Sequence, residues 1–302
     1  MSKQNTVLDK DKALIWSAPT AKLESDLMSL AIQLALTEDL GRGDTTSNLC
    51  VEADRNITAA AVLKEPAILA GLDIVIRVFK YVDDTIQIEK LFVDGSSIAE
   101  SSIAVARISG PARSILAAER TAINFLQRLC GIATLTRSFV DRVRGTGIKI
   151  LDTRKTTPGL RAFEKQAVLA GGGTNHRFSL SDAVLIKDNH LTIAGSIDSA
   201  INKVRAKEPE AKIEVEAKTL SEVQAAAQCN VQAIMLDNMS PDMVRSALKL
   251  IPPSCFVELS GGINLNNIDR YLIEGVDAIS IGALTHSAPS IDISLEVEDY
   301  GR

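Results

Sequence analysis

Six times between residues 149 and 282, a short apolar run is followed by a longer stretch with helical spacing. The strand-like runs are 149–152, 183–187, 212–217, 233–237, 255–259 and 278–282; the helical patterns between them include 160–170, 192–206, 219–228, 241–250 and 264–274. Each β-then-α unit re-enters the sheet from the same end, so repeating it demands parallel strands. Polar residues collect where these strands stop. They are Thr153, Arg154 and Lys155; Lys187, Asp188 and Asn189; Glu214 and Glu216; Asp237 and Asn238; Glu258 with Ser260, Gly261 and Gly262; and Gly282. A β/α barrel assembles its active site at that end from several strands, whereas an open doubly wound sheet relies mainly on one switch point. Contributions from all six strands favour a barrel.

The first ~110 residues have another rhythm, one that fits a mixed α+β unit. Helical spacing runs from Leu23 to Leu36, and strand-like runs follow at 57–63, 86–92 and 103–109, with turns at Asp94-Gly95 and Gly110-Pro111. Residues 1–20 read as a loose arm or short helix. Ser114 is placed to cap a long amphipathic helix that a break near Gly131 would interrupt. Asp44, in GRGDTTS, reads as a turn residue. The alternating segment Ile291–Val297 reads as a strand returning to the first domain after the barrel is complete. The expected division is therefore an N-terminal domain over 1–122, completed by 286–302, and a barrel over 123–285.

Composition narrows the class of function. Apolar content of 46%, charge of 24% and a net charge of −5 describe a globular protein without the basic footprint of nucleic-acid or anionic-membrane binding. Cys50, Cys130, Cys229 and Cys255 lack metal-site spacing and read as core residues in a reducing compartment. The N-terminus has no signal-like apolar run, and no stretch reaches the ~20 apolar residues of a membrane span, so the expectation is a cytoplasmic protein.

Against this acidic background, Arg154, Lys155, His176, Arg177 and Lys187 gather around a triple glycine, Gly171–Gly173. Several cations are what orienting a small polyanion requires, because one point charge cannot fix several carboxylates or phosphates. Ser260-Gly261-Gly262 and Gly282 follow the last two strands, where glycines let phosphate approach backbone N–H groups and a helix N-terminus. Glu216 and Asp237, at adjacent strand ends, could hold Mg²⁺ together with substrate phosphates, or pair with Lys155 and Lys187. Lys187 could be a Schiff-base nucleophile, as in a barrel aldolase, but the surrounding cations favour an anion clamp. His176 has no serine or cysteine partner that would make a hydrolase triad. His190 reads as bonding a loop carbonyl, and Arg120 as a solvated cation.

TRKTTPGLR, GGGTNHRFSLSDAVLIKDNH, EVE, MLDN, ELSGGI and IGALTHS, in this order, resemble the quinolinate phosphoribosyltransferase family; EDLGRGDTTS and ERTAINFLQRLCGIATLT are similar to its N-terminal and linking segments. The resemblance implies an N-terminal α/β open-faced sandwich joined to an incomplete, six- or seven-stranded parallel β/α barrel. It implies a homodimer, or an assembly of dimers, in which Arg120 enters the neighbouring site. It implies transfer of the phosphoribosyl group of 5-phosphoribosyl-1-pyrophosphate to quinolinate with decarboxylation, giving nicotinate mononucleotide for NAD synthesis. On that reading Arg120, Thr153, Arg154, His176, Arg177 and Lys187 bind quinolinate. Lys155, Glu216, Asp237, Ser260, Gly261, Gly262, Gly282 and His286 bind the phosphoribosyl donor, with Mg²⁺ at Glu216 and Asp237, directly or through water. Lys155, Lys187, Glu216 and Asp237 are the expected catalytic set. The alternatives are a paralogous phosphoribosyltransferase acting on another anionic base such as nicotinate, an aldolase, and a non-catalytic phosphometabolite sensor.

Overall fold

The computed structural model describes residues 20–299, so the reading of residues 1–20 falls, but for Thr20, outside the described residues. Contacts within the chain group these residues into two compact units. An antiparallel unit comprises Thr20–Val140, Arg154–Asn175 and the chain from Gly282 onward; a parallel unit comprises Asp141–Thr153 and His176–Ile281.

In the antiparallel unit, α1 (Ala21–Leu40) and α2 (Thr45–Cys50) precede β1 (Asn56–Leu63) and β2 (Ala67–Ile68). After α3 (Leu72–Val82) come β3 (Gln87–Lys90), β4 (Ser97–Ile98) and β5 (Ile103–Pro111), then α4 (Ala112–Arg142). Asp44 caps α2, accepting the Ser47 amide at 3.0 Å, which is helix-capping rather than simple turn duty. β1 runs antiparallel to β5, and β5 to β3. On the other edge of β1 lies β12 (Ile293–Asp299), also antiparallel, giving the sheet order β12-β1-β5-β3. The buried run Ala59–Leu63 in β1 is thus covered by strand neighbours on both sides.

α4 differs from the sequence reading in two ways. It starts directly from β5, and Ser114 donates to Asp83 Oδ2 at 2.8 Å instead of capping the helix. It also continues through Gly131 without a break. That glycine serves packing: a Cβ there would lie 1.9 Å from the carbonyl oxygen of Pro289, so only glycine admits the returning chain at this distance. Phe125 of α4 stacks on Phe163 of α5 (Arg161–Ala170), with ring centroids 5.0 Å apart.

The parallel unit holds β6 (Lys149–Leu151), β7 (Val184–Ile186), β8 (Ile213–Ala217), β9 (Ala233–Asp237), β10 (Phe256–Ser260) and β11 (Ala278–Ser280). Every pairing is parallel, in the order β6-β11-β10-β9-β8-β7. This is the open, six-stranded form of the barrel. Among the described residues the sheet stops at β6 and β7, the two strands separated by the long segment 152–183. β8 is buried along its whole length although it carries two glutamates. A parallel strand covered on both faces leaves them no water, so each needs an internal partner.

Two helical expectations change. The run 192–206 is two helices, α6 (Asp188–Ala194) and α7 (Ile197–Lys207), separated at Gly195 and Ser196; Gly195 has φ of 95°, and the Ser196 hydroxyl caps α7 by accepting the Ser199 amide. After α8 (Leu220–Gln228) and α9 (Pro241–Leu248), the run 264–274 forms only a 3₁₀ turn, Ile268–Tyr271. Asn264 and Asn267 explain why. Asn267 Oδ1 accepts from the Asn264 amide at 2.8 Å, and Asn264 Oδ1 from the Asn266 amide at 3.0 Å, so the side chains close a local turn that competes with a regular helix.

Candidate active site

Three of the expected site residues sit on the parallel unit's strand ends with their partners settled. Lys187 follows β7 and forms an ion pair with Glu216 Oε2 at the end of neighbouring β8. The alternative that Glu216 pairs with a lysine is therefore the arrangement seen. Asp237 ends β9, beside β8, and accepts from Asn238 Nδ2 at 2.9 Å. His190 accepts the Lys187 amide through Nδ1 at 3.0 Å instead of bonding a carbonyl.

His176 and Arg177 are both buried. Buried Asp152, immediately after β6, accepts the His176 amide at 2.8 Å and so fixes the segment that follows the glycines. His176 Nδ1 accepts the Arg177 amide at 2.7 Å, while Nε2 lies 3.4 Å from Glu214 and 3.5 Å from Glu258. Burial alone would lower the imidazole's affinity for protons. The charge of Glu258 and the contact with Glu214 act the other way and raise it, against the Arg177 amide, which Nδ1 can accept only while it carries no proton. Burial, joined by the neighbouring Glu258 charge, pushes Glu214 up to about 7. Glu258 also accepts from Ser280 Oγ at 2.5 Å. Arg177 Nη1 donates to the Ala183 carbonyl at 3.2 Å. Asp182 closes the same loop by accepting the Phe178 and Ser179 amides at 2.8 and 2.7 Å; burial opposes these bonds, yet they hold its carboxyl below the usual range.

Among the described residues, His176, Glu214 and Glu258 are the group whose ligand atoms lie close enough to share a metal ion. A metal ion there would take the place of the Nε2 proton; without one, the three groups form a buried network of their own. Glu216 and Asp237 could hold Mg²⁺: they are hard oxygen donors on adjacent strand ends, and a Mg²⁺ site built on two carboxylates takes its remaining ligands from water and phosphate.

After β10, Ser260, Gly261 and Gly262 form a turn with φ of 95° and 68° at the two glycines. A Cβ at Gly261 would fall 2.3 Å from Asn238 Oδ1. No α-helix opens here, contrary to the sequence reading; the turn is held by Asn267 Nδ2 donating to the Gly262 carbonyl at 3.0 Å. Any phosphate contact at this turn thus relies on the two glycine amides.

Thr153 ends the parallel unit's segment Asp141–Thr153, and the antiparallel unit carries Lys155, Gly282, His286, Arg154 and Arg120. Gly282 opens the short helix α10 (Ala283–His286), and a Cβ on it would lie 3.1 Å from both Lys155 Cδ and His286 Nε2. Lys155, Gly282 and His286 therefore converge. Arg154 is half-buried, and its carbonyl accepts from Arg161 at 3.4 Å. Arg120 is exposed on α4.

Family models for the quinolinate phosphoribosyl transferase N-terminal and C-terminal domains match residues 44–130 and 132–296. The chain belongs to the quinolinate phosphoribosyltransferase family. It is 43% identical over 261 residues to a probable carboxylating nicotinate-nucleotide pyrophosphorylase of Bacillus subtilis, covering 86% of this chain and 90% of that protein. The carboxylating nicotinate-nucleotide pyrophosphorylase of Mycobacterium leprae is 40% identical over 91% of this chain and 98% of its own length. The crystal structure of NadC from Streptococcus pyogenes superposes with a TM-score of 0.86 at 40% identity, covering 94% of this chain and all of that one.

Two groups escaped the sequence reading. Glu258 was visible only as a strand-end acid, and nothing in its spacing reveals its pairing with His176. Arg128 and Glu164 lie within helical patterns whose neighbours are apolar, and that setting was the available signal.

Proposed function

We propose that this chain transfers the phosphoribosyl group of 5-phosphoribosyl-1-pyrophosphate to quinolinate and releases CO₂, forming nicotinate mononucleotide and pyrophosphate for NAD synthesis. Family models spanning 44–296, with relatives of 40% identity and more that are named for the carboxylating reaction, carry this reading over transfer to another base.

The quinolinate carboxylates fall to Arg154, Arg177 and Lys187, with Thr153 nearby in sequence and His176 next to Arg177 in the chain. The phosphoribosyl donor falls to Lys155, Ser260, Gly261, Gly262, Gly282 and His286. The bond from the anomeric carbon to pyrophosphate breaks with its electron pair leaving on oxygen, while the pyridine nitrogen forms the new bond to that carbon. Positive charge develops on the sugar, and Lys155 faces the negative charge that gathers on the departing oxygens. Glu216 and Asp237 would hold Mg²⁺, which supplies further neutralisation of the pyrophosphate. The alkylated ring nitrogen is cationic, so the carbon–carboxylate bond at position 2 can break and leave its electron pair beside that charge. A proton from water then completes the ring. Lys187, ion-paired to Glu216, is suited to holding a carboxylate and is not required as a nucleophile.

The proposed assembly is a homodimer, or an assembly of dimers, with Arg120 serving the neighbouring site. In its favour, Arg120 is exposed, and Leu23, Leu27, Leu30 and Leu34 form an exposed apolar row along one face of α1 that a second subunit would cover. The proposed location is the cytoplasm, a reading supported by cysteines whose sequence spacing fits neither a metal site nor a disulfide framework. No helix among the described residues is long and apolar enough to cross a membrane.

Arg154→Ala and Lys187→Ala should each abolish quinolinate turnover while leaving the circular dichroism spectrum unchanged. Kinetics like those of the unaltered enzyme in either variant would remove that residue from the assignment.

A further inference from the structure

We propose that Arg128 and Glu164 are positioning residues for the phosphoribosyl donor: together they lock the Lys155 segment to the Gly282–His286 turn. The inference rests on the reading above that these two segments hold that substrate.

The connection is continuous and lies wholly within the antiparallel unit. Glu164, on α5, is fully buried, and Oε1 accepts from Arg128 Nη2 at 2.8 Å and Nε at 3.2 Å. Its Oε2 accepts the Thr157 amide at 3.1 Å, which ties down the loop that begins at Arg154 and Lys155. The same guanidinium reaches the opposite segment, donating through Nη1 to the Ala288 carbonyl at 3.1 Å and through Nη2 to the Thr285 carbonyl. Nη2 has two hydrogens, so its 3.3 Å contact with Thr157 Oγ1 is the weak third. Thr285 closes the circuit: its hydroxyl donates to the Lys155 carbonyl at 2.8 Å. Beside that bond, the stem of Lys155 and the His286 ring crowd the face of Gly282.

A buried ion pair is weak evidence for stability, since apolar side chains of similar volume often serve as well. A planar fork of donors instead provides geometry, because it can fix several acceptors in one plane where an ammonium cannot. Here the acceptors belong to α5 and the Gly282–Ala288 stretch, and Glu164 extends the grip to the Lys155 loop. A shift of about 1 Å at such a site is enough to lower reactivity sharply.

The test is steady-state kinetics with each substrate varied in turn on Arg128→Lys, Glu164→Gln and Thr285→Val, alongside thermal melting. Thr285→Val removes the hydroxyl link to Lys155 and leaves the ion pair untouched, so it decides the matter if either charged variant fails to fold. The expected result is a KM for phosphoribosyl pyrophosphate raised about tenfold, with the KM for quinolinate within about twofold of the unaltered enzyme. A lowered melting temperature with both KM values unchanged would make the network purely structural and overturn the proposal. An equal rise in both KM values would also overturn it. If the unaltered enzyme does not turn over quinolinate, it is the functional reading that fails.

Discussion

His176 is the residue at which burial, charge and the chain's route meet. Its amide is held by Asp152, its Nδ1 by the next residue's amide, and its Nε2 by two buried carboxylates. The residue types were legible in the sequence, and the two-residue period of β8 placed Glu214 and Glu216 on one face. Their partners were not, because Glu214 meets a histidine and Glu258 meets Ser280 across separations that no local pattern encodes. The network has a consequence for stability. With Nδ1 accepting the Arg177 amide, the ring hydrogen lies on Nε2, facing both carboxylates. His176→Phe, which leaves those buried carboxylates without this donor, should destabilise the protein by about 2 kcal/mol, measured by chemical denaturation. An unchanged stability would mean that the network contributes nothing to folding.

Among the elements, the strands were the most legible. Short runs built on apolar residues mark β8, β9 and β10 to within one residue, because a buried parallel strand has little else it can be. Helices were misread where side chains intervene in the backbone: the asparagines after Gly262 close a local turn, and Ser196 began a new helix where one had been expected to continue. α4 was misread for the opposite reason. Gly131 looked like a breaker, yet its missing Cβ is filled by the carbonyl of Pro289, far along the chain. Gly131→Ala should therefore destabilise the protein by about 3 kcal/mol through overpacking against backbone that cannot step aside, despite alanine's better helix propensity. Chemical denaturation would measure it. A stabilised variant would mean that the approach of Pro289 is not needed for the fold.

At the scale of the whole molecule, the sheet's parallel sense was legible from its repeated β-then-α units. The expected bounds were not the observed grouping: residues 123–140 and 154–175, read as barrel, group with the antiparallel sheet. An exposed cation on a helix such as Arg120 looks like any other. If a partner subunit uses it, inactive Arg120→Ala and Arg154→Ala proteins should complement when mixed and allowed to exchange. One site of each mixed dimer is then intact, which restores up to about a quarter of the unaltered activity. No recovery, with mixed dimers shown to form, would confine Arg120 to its own subunit.

The central claim is that this chain joins phosphoribosyl transfer to decarboxylation of a diacid. The most direct test supplies purified protein with phosphoribosyl pyrophosphate, Mg²⁺ and quinolinate labelled in its 2-carboxylate, with nicotinate as the parallel substrate. The account predicts equal amounts of labelled CO₂ and nicotinate mononucleotide from quinolinate, a loss of both on chelation, and little product from nicotinate. Efficient turnover of nicotinate with none of quinolinate would contradict it, leaving the fold and the phosphate turns in place but the diacid pocket misread.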